Sequence, residues 1–354
     1  PISIAYNTAK ACFKEMTVPE AVSITSAFQE TMLAAKPAGE MESCSVLQTD
    51  DAFWKVFEFD FVSGKPYDNA DFDAGAAKAV ISEDMARRLF GTSEVVGKTF
   101  LLNHTAYLIS GVVRSVSRLA RYAYAQVWIP LSSTDAFTTA WGDEKIMGIV
   151  AVFILAKSKE DFPAIHNEAD RLKAVFMAGH PNFDLLYRGQ PDTYFVAAQR
   201  YSANNPPAVK EAVRQYILTL LVLLIVPAVN LSGLTLSRMR KRLSEIGVRK
   251  AFGAPRRELM IQVLSENMLY SLFGGILGLI LSYIATFLLG GMLFSVDFMS
   301  NGVEDLQTMC VDLLFDPTVF LLAFLACFLL NLLSAAIPAW RITRTNVADA
   351  INER

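Results

Sequence analysis

The stretch "QYILTLLVLLIVPAVNLSGLTLS", Gln215 to Ser237, contains no charged residue. A helix of roughly 20 apolar residues is what a hydrocarbon core of about 30 Å requires, so this stretch is long enough to span a bilayer. Buried helices of soluble proteins rarely stay uncharged for that length, which decides for a membrane fold. Two more stretches read the same way: "NMLYSLFGGILGLILSYIATFLLGGMLF", Asn267 to Phe294, and "PTVFLLAFLACFLLNLLSAAIPAW", Pro317 to Trp340. Trp340 falls where a membrane-interface aromatic would sit. The predicted spans are therefore 215–237, 267–294 and 317–340, in an α-helical bundle.

Charge in the connecting segments orients these spans. The loop 238–266 contains "RMRKRLSEIGVRKAFGAPRREL", with eight Lys or Arg against two Glu, and Arg341, Arg344 and Arg354 follow the third span. An excess of Lys and Arg marks the cytoplasmic side. The loop between the second and third spans holds Asp297, Glu304, Asp305, Asp312 and Asp316 with no base, so it is expected outside. Residues 1–206 are then outside as well. The sequence opens at Pro1 with neither an export signal nor an earlier span, and the expectation is a further N-terminal span, four in all, with both ends inside.

Just before the first span, "NNPPAVKEAVRQYIL" suits a helix start at Asn205 and its two prolines. Lys210, Glu211 and Arg214 then run into the apolar stretch without a breaker, which predicts a stalk over 207–214. Movement of the span would tilt the outer domain directly.

The outer domain, residues 1–206, mixes strand and helix signals and reads as α+β in two modules, with an insertion of one in the other open. In "SEDMARRLFG", Ser82 is a good N-cap, acids lead, bases trail and Gly91 takes the C-capping place. After it "TFLLNHTAYLISGVV" predicts a hairpin about Asn103-His104, and "AQVWIPLS" adds strand character. "AVFILAKS", a helix with Pro163 in its first turn and Ile165, Ala169, Leu172 and Phe176 on one face, then "TYFVAAQ", read as strand, helix, strand.

Several function classes fall away. "GTSEVVGKTF", Gly91 to Phe100, ends like a phosphate loop, but five residues, Thr92 to Val96, separate its glycines where that loop has four. The order of helix, glycine turn and strand is also the reverse of what a phosphate site needs. Any nucleotide must be bound by another chain. His104, His166 and His180 lack metal-ligand spacing, no G-x-S-x-G elbow occurs, and Asp50, Asp51, Asp68, Asp71 and Asp73 read as solvated loop residues rather than paired acid and base. The chain reads as non-catalytic, with no cofactor and no metal of its own. A net charge of −3 gives no sign of nucleic-acid binding. Cys12 and Cys44 allow either a disulfide or two free thiols in an oxidising compartment, and Cys327 reads as a small apolar residue.

The most informative segment is "SRMRKRLSEIGVRKAFGAPRRELMIQVLSEN". Leu243, Ile246, Gly247 and Lys250 have helical spacing, and Glu245 with Arg249 forms an i,i+4 pair. A plain solvated loop needs neither Ile246, Val248 and Phe252 among its bases nor glycines at 247 and 253. An amphipathic basic helix of this kind could lie on anionic lipid or dock into a partner's groove.

"EIGVRKAFGAPRRELMIQVLSENMLYSLFGGILGLILSY" resembles the signature stretch of the FtsX-like and MacB-like permeases of ABC transporters. "AVISEDMARRLFGTSEVVGKTF…GVV" is similar to their extracytoplasmic core domain and "IPAWRITRTNVADAI" to their C-terminal end. The resemblance covers most of the chain from about Ala79 onward. It implies a MacB-like core domain over 1–206 and an FtsX-like transmembrane domain over 207–354, in a multi-pass protein of the bacterial inner membrane. It further implies that Leu243, Glu245, Ile246, Gly247, Val248, Arg249, Lys250 and Phe252 form a coupling helix seated on a cytoplasmic ABC ATPase, which binds ATP and Mg. Glu245, Arg249 and Lys250 would make the contact. Gly274, Gly275 and Gly278 would pack against a second permease in a homodimer or heterodimer. Asn230, Pro227 and Asn331 are the notable intramembrane residues, read as kinks and interhelical hydrogen bonds rather than a substrate site. The implied activity is mechanical: closure of two ATPases drives the outer domains to export a peptide, a small toxic molecule or a lipoprotein, with an extracytoplasmic adaptor as a further partner. The alternatives are an FtsX-type regulator passing motion to a cell-wall hydrolase, and a membrane-anchored enzyme or receptor without an ATPase.

Overall fold

Residues 99 to 113 fold as the hairpin their β-branched and aromatic content predicts, turning on Asn103 and His104 at φ 45° and 70°. The computed structural model describes residues 3–37, 39–116, 120–142, 144–182, 184–202, 204–241, 248–249, 252–294 and 317–344. It divides into two units, Pro1–Val209 and Lys210–Arg354. In the first unit the strands are β1 (Ser3–Ile4), β2 (Ala21–Ser26), β3 (Glu30–Ala35), β4 (Met41–Thr49), β5 (Phe61–Gly64), β6 (Lys78–Ser82), β7 (Thr99–Leu102), β8 (Thr105–Val113), β9 (Val127–Pro130), β10 (Met147–Gly148) and β11 (Val150–Leu155). The helices are α1 (Tyr6–Ala9), α2 (Phe53–Val56), α3 (Asn69–Asp73), α4 (Glu83–Phe90), α5 (Phe162–Ala178) and α6 (Tyr194–Ala198); α1 continues as a π-helical turn over Lys10–Lys14. The second unit holds α7 (Val209–Lys241), α8 (Arg256–Phe294) and α9 (Pro317–Arg344).

Six strands close a barrel in the order β4, β3, β7, β8, β6, β9 and back to β4. Closure rests on the parallel pairing of Val46–Thr49 with Val127–Pro130. Side chains alternate along each strand, so Val46, Ile81, Val127 and Ile129 join one buried cluster with Phe100, Leu102, Tyr107 and Ile109. Their neighbours Leu47, Val80 and Trp128 join a second cluster, under Phe53, Trp54, Tyr67 and Phe59. Both faces of β4, β6 and β9 are thus covered, which is why "AVI" and "VWIP" read as unbroken apolar runs.

Helix α4 supplies Met85, Ala86 and Leu89 to the first cluster. It forms as its caps dictate: Ser82 Oγ accepts from the Met85 amide at 3.2 Å, Glu83 and Asp84 fill the first turn, and Gly91 ends the helix at φ 74°. Lys98, from the stretch that mimics a phosphate loop, lies over the Phe90 ring at 5.4 Å.

The second module is an antiparallel sheet of β2, β11, β1 and β10, in which Ala21–Ser26 pairs residue for residue with Leu155–Val150. Cys12, Phe13, Met16 and Val22 pack there against Ile165, Ala169 and Leu172, the predicted face of α5. The barrel strands β3 to β9 lie in sequence between β2 and β11, so the barrel is an insertion in this sheet module.

The segment "TYFVAAQ" corrects the predicted strand. It folds as α6, with the Thr193 hydroxyl accepting from the Val196 amide. Arg200 Nε and Nη2 grip Asp192 at 2.6 and 2.9 Å, although an extended strand would hold residues eight apart about 26 Å from each other. That buried fork outweighs the strand propensity of Tyr, Phe and Val.

Candidate coupling segment and membrane helices

Of the residues expected to form the coupling helix, Leu243, Glu245, Ile246, Gly247 and Lys250 lie outside the described residues, whereas Val248, Arg249 and Phe252 are described. Val248 and Arg249 are helical, the Phe252 amide donates to the Val248 carbonyl at 3.1 Å, and the Ala254 amide reaches back to Arg249 at 3.0 Å. Gly253 takes φ 91°, the left-handed conformation that closes a helix this way. The helix stops at Phe252, and α8 starts three residues after Gly253 with the Glu258 amide on the Pro255 carbonyl at 3.1 Å. Arg249 Nη1 donates to Gln262 Oε1 at 2.9 Å and so ties the end of this helix to α8.

Val248 and Phe252 are four residues apart and joined by that backbone hydrogen bond. They are 48% and 89% exposed. An apolar pair held out at a closed, tethered turn is a knob chemically suited to a partner's groove.

Among the described residues, Val209–Leu234 and Leu264–Ala285 are helices long and apolar enough to cross a membrane. Helix α7 begins at Val209 and runs through Lys210, Glu211 and Arg214 into the apolar stretch, with Pro227 inside it. The third expected span, 317–340, is helical within α9, and its apolar stretch among the described residues, Phe320–Leu330, is shorter than the other two. Phe320, Phe324 and Phe328 stack along α9 with centroids 6.3 and 6.0 Å apart. Gly275 faces this ladder: a Cβ there would sit 2.2 Å from Phe324 Cε2. Its lack of a side chain is therefore used within the chain, where α8 meets α9. Gly274 and Gly278 meet nothing within 4 Å.

In the first unit Asp50 departs from expectation. It is 1% exposed rather than solvated, and pairs with Lys14 Nζ at 2.5 Å. Its carboxylate also accepts from Ser23 Oγ at 2.7 Å, the Ile24 amide at 3.0 Å and the Phe53 amide at 3.1 Å. Burial pushes its pKa above the usual range, against the pull of Lys14 and these donors. Asp68 and Asp71 cap α3 reciprocally, and Asp71 pairs with Lys78 at 2.5 Å. Glu168, which the sequence did not mark, accepts from the Thr17 and Val18 amides and the Thr17 hydroxyl at 2.9 to 3.1 Å. Burial raises its pKa, but the two amides and the hydroxyl outweigh that and hold it below the usual range.

The histidines sit on separate elements: His104 in the β7–β8 turn, His166 on α5 and His180 past its end, 3.6 Å from Glu144. Cys12 and Cys44 are buried and not joined in a disulfide, and burial pushes the Cys12 thiol up.

Residues 217–347 match the FtsX-like permease C-terminal family, and residues 3–172 match the MacB-like periplasmic core domain. The chain is 24% identical over 313 residues to the macrolide export ATP-binding/permease protein MacB of Pasteurella multocida, covering 88% of this chain and 43% of that protein. It is 24% identical over 261 residues to the ABC transporter permease YknZ of Bacillus subtilis, covering 73% of this chain and 61% of that protein. To the pyoverdine export ATP-binding/permease protein PvdT of Pseudomonas entomophila it is 25% identical over 248 residues, covering 69% and 35%. The chain thus spans about half the length of these relatives, or less in two of the three. Among solved structures it is similar to the extracellular domain of YknZ, with TM-score 0.39 and 18% identity over 50% of this chain and 85% of that one. The periplasmic region of MacB from Actinobacillus actinomycetemcomitans gives TM-score 0.39 and 13% identity over 52% and 86%.

Proposed function

The chain belongs to the MacB-like and FtsX-like permeases of ABC transporters, and from that premise we propose that it turns ATP hydrolysis by an ABC ATPase into movement of its extracytoplasmic unit. The reading is carried by the apolar pair Val248 and Phe252, exposed at the end of a helix that Arg249 ties to α8. A push on that knob has a direct route into a membrane helix, because the connection is a closed turn and a hydrogen bond rather than a slack loop. ATP and Mg belong to the ATPase, which in the relatives named ATP-binding/permease goes with the permease under one name.

In this reading the loop 238–266 is cytoplasmic, α9 is a third span, and the membrane is the bacterial inner membrane. The stripe of Gly274 and Gly278, four residues apart and uncovered, receives a second permease, as small residues let helix backbones approach in lipid. Relatives named for macrolide and pyoverdine export favour export of a small molecule over regulation of a hydrolase.

The test is co-purification. Phe252→Ala removes a large aromatic from the centre of the proposed contact, where such a loss typically costs 2 kcal/mol or more, roughly thirtyfold in affinity. The expected result is a permease that inserts normally and no longer retains its ATPase. Full retention by both Phe252→Ala and Val248→Asp would remove the knob from the mechanism.

A further inference from the structure

Helix α6 leaves an outward face that the proposed mechanism does not use. Tyr194 and Phe195 are 67% and 50% exposed, Ala198 follows on the same face, and Tyr201 just beyond is 95% exposed. The Tyr194 ring touches Tyr122 edge-on at 5.9 Å along one side and is otherwise open. Large rings held this far into water are costly unless something else receives them.

The position of α6 along the chain suggests what does. Arg200 binds Asp192 with two of its nitrogens, donates to the Arg188 carbonyl at 3.2 Å, and donates to the Asn205 carbonyl. The Ala208 amide donates to the Gln199 carbonyl at 3.2 Å. These bonds pin the end of α6 beside the residue that precedes α7. From Val209, where α7 begins, to Gln215, where its uncharged run begins, is six residues, or about 9 Å of helix rise. The polar layer on each side of the hydrocarbon core is about 5 to 8 Å deep, so α6 is tethered at its edge.

We propose that the α6 face is a membrane foot, in which Tyr194, Phe195 and Tyr201 rest in the lipid headgroup layer at the outer end of α7. Tyrosine suits that layer, since its ring is apolar and its hydroxyl stays hydrated. The Arg200 fork is the bracket that holds the foot to Asn205, four residues ahead of α7. The proposal rests on the reading of α7 as a span.

Nitroxide labels on the full chain in lipid nanodiscs test it, on a background with Cys310 and Cys327 replaced by serine; Cys12 and Cys44 are fully buried. Tyr194→Cys, Phe195→Cys and Tyr201→Cys report the foot. Val175→Cys, 65% exposed on α5, is the aqueous control, and Leu223→Cys on α7 is the lipid control. The expected result is a ratio of oxygen to nickel-chelate collisions several-fold higher at Tyr194, Phe195 and Tyr201 than at Val175, though below that at Leu223. Foot positions that match Val175 while Leu223 is lipid-exposed overturn the foot and leave the span standing, and the face would then belong to a protein partner. A water-exposed Leu223 overturns both.

Discussion

Asp50 and Glu168 are both buried carboxylates with several donors, yet their charges are tuned in opposite directions. Asp50 is raised by burial, so the folded state holds its proton more tightly than the unfolded chain does. Stability then declines as pH rises from the unfolded carboxylate value through the folded one. Lys14 limits that loss, and Lys14→Met should deepen it by about 1–3 kcal/mol at neutral pH and by much less in acid. Denaturant melts of the two proteins across that pH range check the sign; an equal cost at both ends would remove Asp50 as the cause. Glu168 is depressed, so its contribution is complete above the unfolded value and fades as pH falls through the folded one. Glu168→Gln should flatten that acid limb. Neither residue was legible as special, because a carboxylate at position 50 or 168 is like any other until the fold brings Lys14 or Thr17 to it.

Helix-level features divide by how local their causes are. Helix α4 was legible to the residue, since its N-cap, its charge order and its terminal glycine all act within ten positions. Helix α6 was not, because what turns "TYFVAAQ" into a helix is a guanidinium gripping Asp192, Arg188 and Asn205 together. Arg200→Lys keeps the charge and loses the fork, so amide exchange across residues 188–205 should rise sharply while α5 stays protected. Unchanged exchange would show that the fork is not what holds the segment. Between α8 and α9, Gly275→Leu drives a side chain into the Phe324 ring and should loosen the pair, and Phe324→Ala should restore part of it. A Cβ at Gly274 or Gly278 meets nothing within 4 Å, so Gly274→Ala and Gly278→Ala should act only on association with a second copy.

For the molecule as a whole, the decisive prediction is topological. Val248→Cys should react only with membrane-permeant thiol reagents in intact cells, and Val175→Cys with impermeant ones. Labelling of both by the impermeant reagent would place the two units on one side of the bilayer and dismantle the proposed transmission. What the sequence determined alone was everything written in short range: apolar runs long enough to span, the basic loop, the capped helix, the hairpin, and the family likeness carried by the stretch from Glu245 to Tyr283. The tertiary structure alone decided that six strands close into a barrel, since closure joins Val46 to Val127 across eighty intervening residues that carry no sign of it. It also decided that Asp50 is buried, that Gly275 serves α9, and that α6 is a helix. The physical reason is common to the first three: each depends on a partner distant in sequence, and a side chain's pattern records its own neighbours but not the ones the fold will bring; α6 turns instead on Arg200 meeting Asp192 eight residues away, a contact that strand propensity does not record.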